Sequence, residues 1–231
     1  GSMGYRAGYA QANVDSVDIT VKGRGGHGAY PEATVDPVVI AARLVLDLQT
    51  IVSREIAPIE PAVVTVGSIH GGTKHNIIGD TCQLQLTVRS YGPAVRQKLI
   101  AAIRRKALAA AASADVPEPE ISVSEGTPSL FNDPELTNRL VPVLKKSLGE
   151  QHVQEVKPSM GGEDFGRIGR EGVPIVMFKL GAVSQTRLDE YQKDGGQPPS
   201  LHSPQFYPDA TVTITTGVTA LSTAALELLQ P

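Results

Sequence analysis

The sequence predicts an α/β protein of the α+β kind: a ferredoxin-like β-α-β-β-α-β domain over residues 14–126, followed by a second α/β segment over 127–231. Two observations predict it. Four strand-like runs and two runs of helical period follow one another in that order between Ser16 and Ser124. Beyond them, Pro174 to Leu180 is apolar without alternation, as in a strand covered on both faces.

Ser16 to Gly23 opens the first domain. Val17, Ile19 and Val21 fall on one side and Asp18, Thr20 and Lys22 on the other, the period of a half-buried strand. After a Gly-rich stretch and Pro31, Asp36-Pro37 reads as an N-cap with proline in the first turn. The helix it starts runs to about Ser53, with Val38, Ala41, Ala42, Val45 and Leu48 at helical spacing. Pro58 and Pro61 break the chain before a second strand, Val63 to Ile69, which Gly71-Gly72 ends. Cys82 to Tyr91 is the third strand. Pro93 opens a second helix that ends before Pro117, and Ile121 to Ser124 is the fourth strand.

Gly126 to Asn132 reads as a linker. Asp133-Pro134 caps a helix over about 134–148, closed by Gly149. A short strand near 153–156, a short helix near 163–170, a polar loop over 184–200 and a final helix over 209–229 complete the segment. It is short of strands for a sheet buried on both faces, so it reads as half of a domain. Gly1-Ser2-Met3 reads as the remnant of a cleaved tag, outside the fold.

Composition excludes several functions. With 41% hydrophobic and 19% charged residues, the chain is an ordinary globular protein. A net charge of −3 gives no argument for nucleic acid or an anionic membrane as partner. No apolar run reaches 18 residues and no signal-peptide pattern stands at the start. Cys82, the one cysteine, lies in a strand-like run and reads as a buried inert thiol, which points to a reducing, cytoplasmic setting.

Three short stretches hold residue types suited to metal-assisted hydrolysis. They are Gly-Arg-Gly-Gly-His-Gly at 23–28, Gly161-Gly162-Glu163-Asp164-Phe165, and Leu201-His202-Ser203-Pro204. Read with Ile19-Thr20-Val21-Lys22 ahead of the first, Asp36-Pro37, Lys74-His75-Asn76-Ile77-Ile78, and Thr87-Val88-Arg89-Ser90, the chain resembles the M20 metallopeptidases. The amidohydrolase branch with hippurate and auxin-conjugate hydrolases is the most similar.

The resemblance implies a two-domain enzyme in which a ferredoxin-like lid is inserted into a catalytic α/β domain. The lid pairs two copies into a homodimer, and the substrate is a small N-acyl amino acid or related amide. Two divalent ions (zinc, manganese, cobalt or nickel) activate water and polarise the amide carbonyl. His27 matches the lid histidine that stabilises the tetrahedral oxyanion in the neighbouring subunit's site; its rival reading is a loop histidine bonded to local backbone. His202 matches the last metal ligand, against a merely exposed loop histidine. Asn76 and Arg89 match residues that bind the substrate's amide or carboxylate, and Gly161 and Gly162 allow close approach of backbone to a ligand.

Gly79 stands where the family has proline, which loosens that loop. Asp164 reads as a helix cap more than as a catalytic acid, and His70, His75 and His152 as structural or solvated. The other metal ligands and the general base have no match, so the chain reads as a lid plus the C-terminal half of a catalytic domain. One matching ligand is not expected to hold the ions. The alternative reading is a non-catalytic dimerisation module.

Overall fold

The computed structural model describes residues 1–193 and 195–230. Asp194, within the expected 184–200 loop, and Pro231, at the end of the second segment, lie outside the described residues. In chain order the strands and helices begin β1 (Met3–Tyr5), β2 (Gly8–Gln11), β3 (Asn13–Lys22), β4 (Gly26–His27), α1 (Pro37–Thr50), β5 (Ala62–Gly71), β6 (Ile77–Ile78), β7 (Thr81–Ser90) and α2 (Pro93–Ser113). They continue with β8 (Glu120–Thr127), β9 (Leu130–Asn132), α3 (Pro134–Leu148), β10 (Val153–Glu155), α4 (Gly166–Arg170), β11 (Lys179–Leu180), α5 (Gln185–Lys193) and α6 (Ala210–Leu228).

The chain forms two compact units. One gathers Gln11–Leu130 and Ser159–Arg167; the other holds Gly1–Ala10, Phe131–Pro158 and the chain from Ile168. The expected bounds of 14–126 and 127–231 are continuous, whereas these units exchange segments: the 159–167 stretch clusters with the first.

The first unit is the ferredoxin-like one. Its sheet has the order β5-β7-β3-β8 and is antiparallel throughout. Ile19 pairs with Leu84 on one side and Ile121 on the other. Alternation then sends Val17, Ile19, Val21, Cys82, Leu84, Leu86 and Val88 to one face, and α1 and α2 cover it with Ile40, Leu44, Leu48, Leu99 and Ile103. Each such side chain, taken out of water, contributes about 1.5–3 kcal/mol. Asp36 caps α1, its Oδ1 accepting the Val38 N–H at 2.8 Å, and one π-helical turn, Ile51–Glu55, carries that helix on. Burial pushes the free Cys82 thiol up, with the Asp36 carboxylate adding to the shift.

The period that buries Val17 also buries Asp15, which is 0% exposed. Arg96, from the first turn of α2, reaches it with two bonds, Nη2 to Oδ1 at 2.7 Å and Nε to Oδ2 at 2.8 Å. Asn13 Nδ2 adds a third bond at 3.0 Å, and Ser90 Oγ donates to Asn13 Oδ1 at 2.9 Å. The pair is fully bonded, as a buried carboxylate must be.

The second unit has the sheet β10-β1-β11, with β1 parallel to β10 and antiparallel to β11. Met3, Leu140, Leu144, Val153 and Ala220 form its core. Asp133 caps α3 through the Leu136 N–H at 2.7 Å. Among the described residues, no helix is long and apolar enough to cross a membrane.

Four sequence expectations change. Met3 is not a tag appendage to the fold: it is 7% exposed and lies in β1, opposite Val153 and Leu180. Three-residue β1 is too short to show a period. The 126–132 linker is mostly strand, since β8 runs to Thr127 and β9 buries Leu130 and Asn132. Pro174 to Leu180 forms a strand only at Lys179–Leu180. Asn132 takes the place of a ladder there, its Oδ1 accepting the Met177 N–H at 2.8 Å and its Nδ2 donating to the Met177 carbonyl at 3.1 Å. The polar 184–200 stretch contains α5, which lacks the apolar stripe that would have marked it.

Candidate active site

The Gly-rich stretch at 23–28 is a tight hairpin against the 76–80 segment. Gly23 N–H donates to the Asp80 carbonyl and Gly25 N–H to Asp80 Oδ1, both at 2.8 Å. β4 pairs with β6 so that His27 faces Ile77, and the Gly28 N–H donates to the Asn76 carbonyl at 2.8 Å. A Cβ at Gly25 would stand 2.7 Å from the Ile78 carbonyl oxygen, and one at Gly28 would stand 3.1 Å from that of Asn76. Backbone approach therefore demands glycine at 25 and makes position 28 tight for any side chain.

His27 is exposed at the tip of this hairpin. Its Nδ1 accepts the Ala29 N–H at 3.0 Å, and its ring lies 5.7 Å from that of Tyr30 at 56°. Asn76 stands beside it on the facing segment, also exposed. The structure thus brings His27 and Asn76 together.

Arg89 is elsewhere, near the far end of β7. Its Nη1 donates to the Met160 carbonyl at 2.7 Å and its Nε to Thr87 Oγ1 at 3.3 Å. Gly161 follows directly, its carbonyl accepting the Ala12 N–H at 3.0 Å. A Cβ on Gly162 would fall 2.6 Å from Val14 Cγ2. Arg89, Gly161 and Gly162 therefore form a second group, in which close packing against Val14 of β3 accounts for Gly162. Thr81 to Arg89 is eight steps along β7, roughly 27 Å at about 3.4 Å per residue, so Arg89 lies at the far end of β7 from the β4–β6 hairpin, which adjoins its Thr81 end. Glu163, rather than Asp164, lends its carboxylate to the next turn, with Oε1 accepting the Phe165 N–H at 3.2 Å. Asp164 contributes its carbonyl to the Arg167 N–H at 2.9 Å.

His202 lies in the other unit, exposed in a turn between α5 and α6. The base of that segment is clipped by Asp209, whose N–H donates to the Ala182 carbonyl at 2.8 Å and whose Oδ2 accepts the Ser184 N–H. That backbone N–H, and Arg187 after it, hold the Asp209 carboxyl below the usual range. Among the described residues, no group of three or more His, Cys, Asp or Glu side chains converges as a metal site would require. His202 by itself does not make up a two-metal centre, which needs several converging donors. His70, His75 and His152 are exposed. Sequence reasoning passed over Tyr30 and the Met160 carbonyl. Tyr30 adjoins the glycine motif and could have been noticed; a backbone carbonyl leaves no sequence signal.

A four-stranded antiparallel sheet with two helices on one face, and a glycine-built histidine hairpin beside one end of it, defines a ferredoxin-like domain. Residues 9–115 match the family described as the peptidase dimerisation domain, of M20 type. It is 39% identical over 184 residues to an N-acetyldiaminopimelate deacetylase of Leuconostoc mesenteroides, covering 78% of this chain and 47% of that protein. Among solved structures, a candidate aminohydrolase of methicillin-resistant Staphylococcus aureus superposes with a TM-score of 0.83 at 29% identity, over 100% of this chain and 56% of that one. A Bacillus subtilis protein described as a dinuclear metal-binding peptidase of the M20 family gives 0.69 at 22% identity, over 98% and 53%. The latter likeness is one of fold. The chain spans about half the length of the curated relatives it matches.

Proposed function

We propose that this chain serves in a metal-dependent amidohydrolase that cleaves an N-acyl amino acid. The observation that carries the reading is its 39% identity to a deacetylase of an N-acetylated amino acid. On this reading His27 donates a hydrogen bond to the developing oxyanion, Asn76 and Arg89 hold the amide and carboxylate of the substrate, Gly161 and Gly162 line the site, and His202 is one ligand of a divalent pair. The deacetylase names among the relatives favour a short acyl group over the hippurate and auxin-conjugate types. The test is release of acetate from N-acetyl amino acids by the intact, metal-loaded enzyme, abolished by a chelator. A folded, metal-loaded enzyme that hydrolyses no N-acyl amino acid would overturn it.

The separation of His27 from Arg89 supports a homodimer, because one sheet cannot place both at one substrate. Among the described residues β5 pairs only with β7, leaving an edge strand of ten residues, Ala62–Gly71, open to a second copy. Light scattering is expected to give twice the chain mass of 24.4 kDa. A monomer at every accessible concentration would remove this basis for sharing sites between copies.

Arg89→Lys is expected to weaken substrates with a free carboxylate and spare their amidated analogues. Lysine keeps the charge and loses the planar fork. Loss of one charge-assisted bond, about 1.5–3 kcal/mol, predicts roughly a tenfold or greater rise in KM. Equal losses on both substrates would make Arg89 a strut for the Met160 carbonyl instead.

The non-catalytic dimerisation module is favoured by one observation, the lack of a converging ligand set among the described residues. Elemental analysis of the intact protein, of which this chain spans about half, separates the two after dialysis: the amidohydrolase retains stoichiometric metal and the module does not.

A further inference from the structure

The hairpin that presents His27 does more than expose it. The Ala29 N–H points at Nδ1 from 3.0 Å, and a backbone donor needs an unprotonated ring nitrogen to receive it. In the neutral imidazole the proton then sits on Nε2, the ring nitrogen farther from the backbone. The turn that delivers the Ala29 amide is itself closed, with the Tyr30 N–H donating to the His27 carbonyl at 2.9 Å and the Gly28 N–H to the Asn76 carbonyl at 2.8 Å. Tyr30 opens the short 3-10 turn Pro31–Ala33, whose Ala33 N–H returns to its carbonyl at 3.1 Å. Its backbone is therefore held from both sides.

Its side chain is 61% exposed and still meets the imidazole, centroid to centroid at 5.7 Å and tilted by 56°. A large aromatic residue left in water forgoes about 1.5–3 kcal/mol of burial, so packing within this chain does not explain it. What it does in this structure is limit the swing of the His27 ring on one flank. Ile77, paired with His27 across β4 and β6, lies on the neighbouring strand.

We propose that Tyr30 is a positioning residue that, with the Ala29 amide, presets His27 as an Nε2–H donor. This rests on the reading of His27 as the oxyanion donor. A donor already carrying its proton on the outward nitrogen needs no reorganisation when charge develops on the substrate oxygen, which is where such a bond has its effect. Tyr30 acts through His27 and touches no reacting atom in this assignment.

Two measurements test it. Long-range ¹H–¹⁵N correlation spectra of the 231-residue chain are expected to show neutral His27 as the Nε2–H tautomer, with the Ala29 amide resonance moving when His27 is titrated. Tyr30→Phe should preserve both signatures, and Tyr30→Ala should broaden the ring signals and weaken the response at Ala29. In the intact enzyme, Tyr30→Ala should lower kcat about tenfold with KM little changed, as expected for a misaligned group, and Tyr30→Phe should restore it. An Nδ1–H tautomer in the wild type, or spectra and kcat unaffected by Tyr30→Ala, would overturn the proposal. If instead His27→Ala retains full activity while the tautomer and the Ala29 response are as described, the oxyanion reading fails and the preset hairpin stands.

Discussion

Arg96→Ala is expected to destabilise the ferredoxin-like unit by about 3–5 kcal/mol, the cost of leaving one partner of a buried ion pair alone. Asp15 is 0% exposed and receives three hydrogen bonds, two from Arg96 and one from Asn13. Alanine removes both charged bonds. It also leaves Asp15 near Glu125, whose Oε2 lies 4.0 Å from the same guanidinium, so two carboxylates would face one another without the cation. At roughly 4 °C per kcal/mol, where the ranges for small and for larger domains meet, the melting temperature should fall by about 12 °C or more. Urea denaturation of the wild type and variant, with unchanged slope, measures the same quantity. Replacing the pair together, Asp15→Leu with Arg96→Met, should recover most of the loss, since the penalty comes from the orphaned charge. A loss below about 1 kcal/mol for Arg96→Ala would mean that water reaches Asp15 and solvates it.

The same carboxylate shows how far the sequence could be read. Alternation in β3 placed Val17, Ile19 and Val21 in the core, and those side chains are buried there. Continued two residues back, the identical rule buries Asp15 and asks for a cation, which α2 supplies 81 residues later. Strong periods made the order of the ferredoxin-like elements legible, and Asp36 and Asp133 marked two helix starts that the structure keeps. The second unit was harder because its strands are two or three residues long and depend on partners distant in sequence. Asn132 is the extreme case: one side-chain amide satisfies the backbone at Met177 and so replaces the strand that the apolar run from Pro174 predicted. For the candidate site, motif residues were visible one by one. Their distribution over two ends of a sheet and a separate unit was not, since it follows from the β7 register and from the 159–167 stretch packing on β3.

That distribution sharpens the role assigned to His27. In the intact enzyme, His27→Ala is expected to lower kcat about 10²–10³-fold with little change in KM, because an oxyanion donor acts in the transition state and barely in the ground state. The Thr81 end of β7, beside the His27 hairpin, lies roughly 27 Å of extended strand from Arg89, so a substrate that meets both must take them from different copies. Mixing His27→Ala with Arg89→Ala subunits should then restore activity. Half of randomly paired dimers are mixed, and each mixed dimer has one of its two sites intact, so about a quarter of wild-type activity returns. If both residues served the site of their own copy, every site in the mixture would lack one of them and nothing would return. Near-normal kcat in His27→Ala would remove the oxyanion role. A large kcat loss without complementation would keep that role and place His27 and Arg89 in separate functions, with Arg89 bracing the Met160 carbonyl as it does in this structure.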